Sequence, residues 1–147
     1  MQVYVSKAFR RYASKEVQES LLVAFKWWKS SESREFESEL FGKDSAFIKP
    51  KIDGKDYVLR HCHLIPLNDS EKLRIWYRDH RFKSRKVSDR ILIYVQSGES
   101  FYLIDIVDDP GGHEIMRMTT KEGKSFMGQC AQEAHAFLNG TLELEPM

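Results

Sequence analysis

The stretch that decides the fold runs from Arg90 to Val107: "RILIYVQ" over 90–96, "SGE" over 97–99 and "SFYLIDIV" over 100–107. Both outer runs are rich in β-branched and aromatic residues, which suit a pleated surface. A short Gly-containing turn joins them, so they read as an antiparallel hairpin. After "DDPGG" at 108–112, residues 113–118 can begin a helix. Thr119 and Glu122 fit a capping box for a final helix. That helix carries Phe126, Cys130, Ala134 and Phe137 on one face and ends at Asn139-Gly140.

Upstream of the hairpin, "DYVLRHCHLI" at 56–65 reads as a strand, while "EKLRIWYR" at 71–78 fits a strand or a helical turn equally well. Phe36 and Leu40 lie one turn apart, with Gly42 as a stop for a short helix. Ser14 can cap a helix reaching Lys29, whose apolar face holds Val17, Leu21, Ala24, Phe25 and Trp28. Val3, Tyr4 and Val5 make a short strand of 2–6. The order predicts an α+β fold: a small antiparallel sheet, two N-terminal helices on one face and a C-terminal helix.

The chain has 147 residues, 41% hydrophobic and 31% charged, which is a soluble globular composition and one domain's length. The expected domain is 1–140, with a frayed tail at 141–147. Cys62 and Cys130 are too few for a disulfide framework. No apolar run approaches the roughly 20 residues of a bilayer span, and "MQVYVSKAFRR" has no signal-peptide pattern. Cytoplasmic residence with reduced thiols and no membrane partner is the expectation.

The net charge of +1 hides segregation. Residues 71–90 hold eight Lys or Arg against three acids, whereas 99–114 hold five acids and no Lys or Arg. The basic block also carries Trp76, Tyr77, His80 and Phe82. Cations interleaved with aromatic rings suit single-stranded nucleic acid, through phosphate pairing and base stacking. The same block also reads as a salt-bridged surface hairpin.

Three constellations carry candidate chemistry. In "HCH" at 61–63, a strand puts His61 and His63 on one face and Cys62 on the other, toward the core. Paired imidazoles suit a proton shuttle, a phosphate clamp or a metal, which would need further ligands such as His80 or His113. In "HEIMR", His113 and Arg117 are four apart and share a helix face, an acid–base group beside a phosphate donor. In "RDHRFKSRKVSDR" at 78–90, Arg78, His80, Arg81, Lys83, Arg85 and Lys86 are phosphate donors, and Tyr94 in the following strand offers a hydroxyl or a stacking ring. No glycine-rich phosphate loop, Walker pattern or nucleophile elbow is present. Trp27 and Trp28 read as core or partner interface.

"LFGKDSAF" at 40–47, "LRHCHLIPLN" at 59–68, "SRKVSDRILIYVQ" at 84–96 and "FYLIDIVDDPGGHEIMR" at 101–117 together resemble the YafO family of bacterial toxins. Each motif is short; their common order and spacing carry the resemblance. It implies a type II toxin with a RelE/ParE-like fold. The implied activity is a ribosome-associated endoribonuclease that cuts mRNA through 2′-OH attack and arrests translation, without metal or other cofactor. The site residues it implies are His61, His63, Arg85, His113 and Arg117, with Arg78, His80, Arg81, Lys83, Lys86 and Tyr94 against RNA. Asp89 is not carried over. The implied partners are a cognate antitoxin, mRNA and the ribosome. The competing readings are a ParE-like gyrase inhibitor, a non-enzymatic RNA-binding module using 71–90 as a hairpin, and a metal-dependent nuclease centred on His61 and His63.

Overall fold

The computed structural model describes residues 1–144. Its centre is the expected hairpin. Strands β4 (Ile91–Ser97) and β5 (Ser100–Val107) pair antiparallel from Ile91–Val107 to Ser97–Ser100. Gly98 takes φ +59° in the turn, a left-handed conformation glycine adopts without a Cβ clash. Strand β3 (Leu59–Leu64) lies antiparallel to β4, and β2 (Phe41–Ala46) antiparallel to β3. On the other edge, β1 (Gln2–Val5) runs parallel to β5. The sheet order is β1-β5-β4-β3-β2. It is therefore a mixed sheet; the wholly antiparallel expectation fails at β1.

Residues 91–95 are all buried, so β4 is covered on both faces. One face presents Leu92, Tyr94, Phe101 and Leu103 to Phe9 of α1 (Lys7–Tyr12) and to Leu22, Phe25 and Trp28 of α2 (Lys15–Lys29). The Phe25 ring stands edge-on to Tyr94, Phe101 and Phe41 at 5.3–5.7 Å, a favoured aromatic arrangement. The other face presents Ile91, Ile93, Val95, Tyr102 and Ile104 to Met127, Cys130, Ala134 and Phe137 of α5 (Lys121–Leu138). The sheet is thus sandwiched between N-terminal and C-terminal helices.

Several local expectations shift. Ser14 caps α2 as expected, but the buried face is Gln18, Leu22, Phe25 and Trp28, and Val17 is exposed. Gln18 turns inward because its amide donates to the carbonyls of Arg10 and Ala13, closing the α1–α2 corner. Residues 36–40 are not helical; a single 3-10 turn at Glu32–Arg34 precedes β2, and Gly42 lies in the strand. Residues 71–78 form part of α3 (Ser70–Arg81), capped by the Asp69 carboxylate, so 71–90 is not a hairpin. Thr120, one residue beyond Thr119, caps α5. A short α4 (Gly112–Arg117) follows β5. Leu142 and Leu144 pack on the α5-side core; the rest of the expected tail, 145–147, lies outside the described residues. Among the described residues no helix is long and apolar enough to cross a membrane.

Candidate active site

Period-2 geometry places His61 and His63 side by side on the α5 face of β3, their rings 5.7 Å apart. Cys62 turns to the opposite face and is fully buried; burial pushes its thiol well up, so it is a core residue. The His63–Ile91–Val107 row marks one end of three strands. There the chain enters β4 through Ser88 and Asp89 and leaves β5 toward α4. That convergence brings His113 to 5.4 Å from His63, ring to ring. Three imidazoles thus form a row: His61, His63, His113.

Each ring is held differently. His63 is 3% exposed, and its Nδ1 lies 2.7 Å from the Ser88 carbonyl oxygen and 2.9 Å from the Ser88 amide nitrogen. These contacts exclude each other: a protonated Nδ1 donates to the carbonyl, a bare one accepts from the amide. His113 is half-exposed, and its Nδ1 meets Asp89 Oδ1 at 2.7 Å. A carboxylate only accepts, so Nδ1 carries a proton, and Nε2 is the nitrogen not engaged by Asp89. Asp89 also accepts the amides of Gly111 and His113, both at 2.7 Å, and so caps α4 from outside. Gly112 packs so closely on this segment that a Cβ would lie 2.3 Å from the Asp89 carbonyl oxygen. His61 has Phe47 against its ring at 4.4 Å and Ser45 Oγ 3.4 Å from Nε2. Its buried Nδ1 has no partner among the described residues.

Burial, and then repulsion between the two rings when His63 is charged in acid, lowers the His61 pKa to about 4. Burial also lowers His63, against the pull of its Ser88 hydrogen bond. Both rings are therefore neutral at neutral pH. Burial raises Asp89, but the hydrogen bonds from Gly111 and His113 outweigh it and hold the carboxyl below its ordinary range. The end of the sheet thus carries two neutral imidazoles beside an imidazole oriented by a carboxylate.

The other sequence-predicted residues divide. Arg117 lies one turn beyond His113 on α4, exposed. Arg85 is exposed in the loop between α3 and β4. No hydrogen bond or ion pair among the described residues ties either to the histidines. Arg78 and Arg81 end α3 and Lys83 follows it, all exposed. His80 and Lys86 turn to each other, Nζ to Nδ1 at 3.0 Å. Lys86 is 1% exposed, donates to the Ser38 carbonyl and sits 5.5 Å from the Trp76 ring centre. Burial drops its pKa to about 8. Lys86 is an internal strut, out of reach of a phosphate. Tyr94 is fully buried on the α2 face, opposite the histidines, where its hydroxyl donates to Asp44 Oδ1 at 2.7 Å and accepts from Arg60 at 3.2 Å.

Three contributors escaped sequence reasoning: Asp89, Ser88 and Lys43. All three lie within quoted motifs, Asp89 and Ser88 in "SRKVSDRILIYVQ" and Lys43 in "LFGKDSAF", so those segments were the available signal. Lys43 sits on β2 on the same face as Ser45 and is exposed. Its positive charge acts on both His61 and His63. Among the described residues no group of three or more His, Cys, Asp or Glu side chains is placed to hold a metal ion.

The family model described as Toxin YafO, type II toxin-antitoxin system, matches residues 26–139. The chain belongs to the YafO toxin family. It is thus a toxin of a type II toxin–antitoxin system, with a cognate antitoxin as partner. The match spans β2, β3, the Ser88–Asp89 entry and α4, so every part of the histidine row lies inside the YafO region. Comparisons with curated proteins and with solved structures return no match.

Proposed function

We propose that this toxin is a ribosome-associated endoribonuclease that cleaves mRNA by 2′-OH attack, in the cytoplasm and without a metal or other cofactor. The observation that carries the reading is the row His61–His63–His113 with Asp89 behind it at one end of the sheet, where His113 opens to solvent. Cleavage of this kind needs a base for the ribose hydroxyl and an acid for the leaving oxygen. His63 is the base: with Nδ1 donating to the Ser88 carbonyl, its Nε2 lone pair is free, and burial keeps the ring neutral. The 2′-oxygen attacks phosphorus, the P–O5′ bond breaks, and His113, entering with a proton on each ring nitrogen, gives the Nε2 proton to O5′ while His63 keeps the proton it took; exchange with water then resets both rings. Asp89 holds the protonated ring through Nδ1. His61 is the neutral ring that backs His63. Arg117 and Arg85 meet the phosphate oxygens, and Arg78, Arg81 and Lys83 track the RNA backbone. The products are a 2′,3′-cyclic phosphate and a 5′-hydroxyl.

The reading also carries the RelE/ParE-like architecture, supported by two helices that follow β1 and pack on one face of the sheet. Its test is induced expression of wild type and His113→Ala, with growth and primer extension on a reporter mRNA. Wild type is expected to stop growth and produce discrete mRNA ends that the variant lacks. Growth arrest without new ends would transfer the target to gyrase. A substrate with 2′-deoxyribose at the cut site should resist cleavage, and its cleavage would end the mechanism.

A further inference from the structure

We infer that Lys43 is a catalytic residue of this site, a cation that binds the scissile phosphate and is aimed there by a β-bulge that Gly42 and the buried Lys86 hold in place. The inference rests on the ribonuclease reading and extends it to a residue that the sequence carries within the "LFGKDSAF" motif but assigns no role.

The pairing register carries the first step. Phe41 pairs with Leu64 and Asp44 with Cys62, so Gly42 and Lys43 together oppose His63 alone. Two residues against one is a bulge, which bends a strand and redirects a side chain. Asp44 returns to the α2 face, where Lys29 and Tyr94 bind its carboxylate. Ser45 returns to the histidine face beside His61. Lys43 therefore shares the face of Ser45 and lies across from His63.

The bulge is locked from below. The Lys43 amide donates to the Lys86 carbonyl at 2.8 Å. A Cβ on Gly42 would lie 2.2 Å from that carbonyl oxygen and 2.8 Å from the Trp76 ring, so only glycine fits. The Lys86 backbone is fixed in turn because its side chain is buried and tied to Ser38 and His80. Three residues that read as a helix stop and two phosphate donors instead position a fourth.

Charge supplies the last step. Lys43 is exposed and makes no ion pair among the described residues. The charged and titratable groups that act on His63 and His61 are Lys43 of β2, His113 of α4, Asp89, Asp44 and the two rings on each other. Both anions are committed, Asp89 to His113 and the start of α4 and Asp44 to Lys29, Arg60 and Tyr94 on the opposite face. A lysine beside imidazoles that makes no ion pair among the described residues has its charge free for a phosphodiester. In the transition state the Lys43 ammonium donates to a non-bridging oxygen as its charge grows, and it neither gains nor loses a proton.

The experiment compares wild type, Lys43→Gln and Lys43→Arg in a ribosome-containing cleavage reaction, with NMR titration of the His63 ring and a thermal melt on each protein. Lys43→Gln should cleave about 10²-fold more slowly with an unchanged melt, and Lys43→Arg should recover most of the rate. In Lys43→Gln the His63 midpoint should rise, since a repelling charge is gone. Lys43→Gln cleaving at the wild-type rate overturns the inference while leaving the ribonuclease reading intact. So does a slow Lys43→Gln whose His63 titration is unmoved or whose melt has collapsed while Lys43→Arg stays slow. A wild type that cuts no RNA under any condition ends both.

Discussion

His61 makes the stability of this protein steeply dependent on acid, and the size of the effect follows from its surroundings. The ring packs on Phe47, with Nδ1 buried and without a partner among the described residues. Its pKa falls from 6.5 to about 4, first through burial and then through repulsion from His63. The unfolded chain titrates at the ordinary value. Between the two, the unfolded state binds a proton that the folded state refuses, so stability falls as pH falls. It is intact above about pH 7 and the loss is complete below about pH 4. The full gap corresponds to roughly 3 kcal/mol. Solvent still reaches part of the ring, so about 2 kcal/mol by pH 4.5 is the working expectation.

The perturbation is His61→Phe, which keeps an aromatic ring against Phe47 and removes the titrating nitrogens. Urea unfolding of wild type and variant at pH 7.5, 6.5, 5.5 and 4.5 isolates His61, because His63 shifts in the same direction in both. The two curves should differ little at pH 7.5. By pH 4.5 the wild type should have lost about 2 kcal/mol more than His61→Phe. Parallel losses across the range would refute the reasoning, since they would mean that His61 protonates in the folded state without cost.

Two further outcomes test the layout. Asp89→Asn leaves an amide facing the His113 Nδ1 proton, so mRNA cleavage in the ribosome-containing reaction should fall on the order of 10²-fold. Weakened capping of α4 should cost about 1 kcal/mol in a melt above the carboxylate range, with the wild-type advantage fading as acid protonates Asp89; an unchanged cleavage rate would remove Asp89 from the mechanism. Tyr94→Phe deletes a hydroxyl bound to Asp44 and Arg60 on the face away from the histidines, so it should cost about 1–2 kcal/mol of stability and leave cleavage intact; a cleavage defect in a folded Tyr94→Phe would tie the two faces together.

The contrast between Tyr94 and His63 shows what was legible in the sequence. Strand periodicity separates faces, so it put His61 and His63 together and Cys62 in the core without any coordinates. The two apolar runs of 90–107 and the short turn between them likewise gave the antiparallel hairpin, though not its central place in the sheet. Periodicity does not say which face of a doubly covered strand meets the substrate. Tyr94 was therefore grouped with a site from which the sheet divides it. Lys86 failed for a related reason: in sequence a lysine reads as surface, and only the Ser38 carbonyl, His80 and the Trp76 ring explain why this one is inside. The α2 face slipped by a residue because Gln18 is held inward by carbonyls that α1 brings to it.

Lys43 marks the sharper boundary. Counting by twos from Ser45 places it correctly, but counting from Phe41 across the bulge does not, and nothing in "FGKDSA" announces where the register slips. The slip depends on the Lys86 carbonyl, more than forty residues away, lying where a Gly42 Cβ would otherwise be. A residue aimed by a bulge takes its direction from the partner that forces the bulge. His61 and His63, aimed by unbroken pairing with β4, needed no such partner, and the sequence sufficed for them. The groups of this site that resist sequence reading, Lys43 and Asp89, are the ones whose orientation is set by backbone contacts between distant segments.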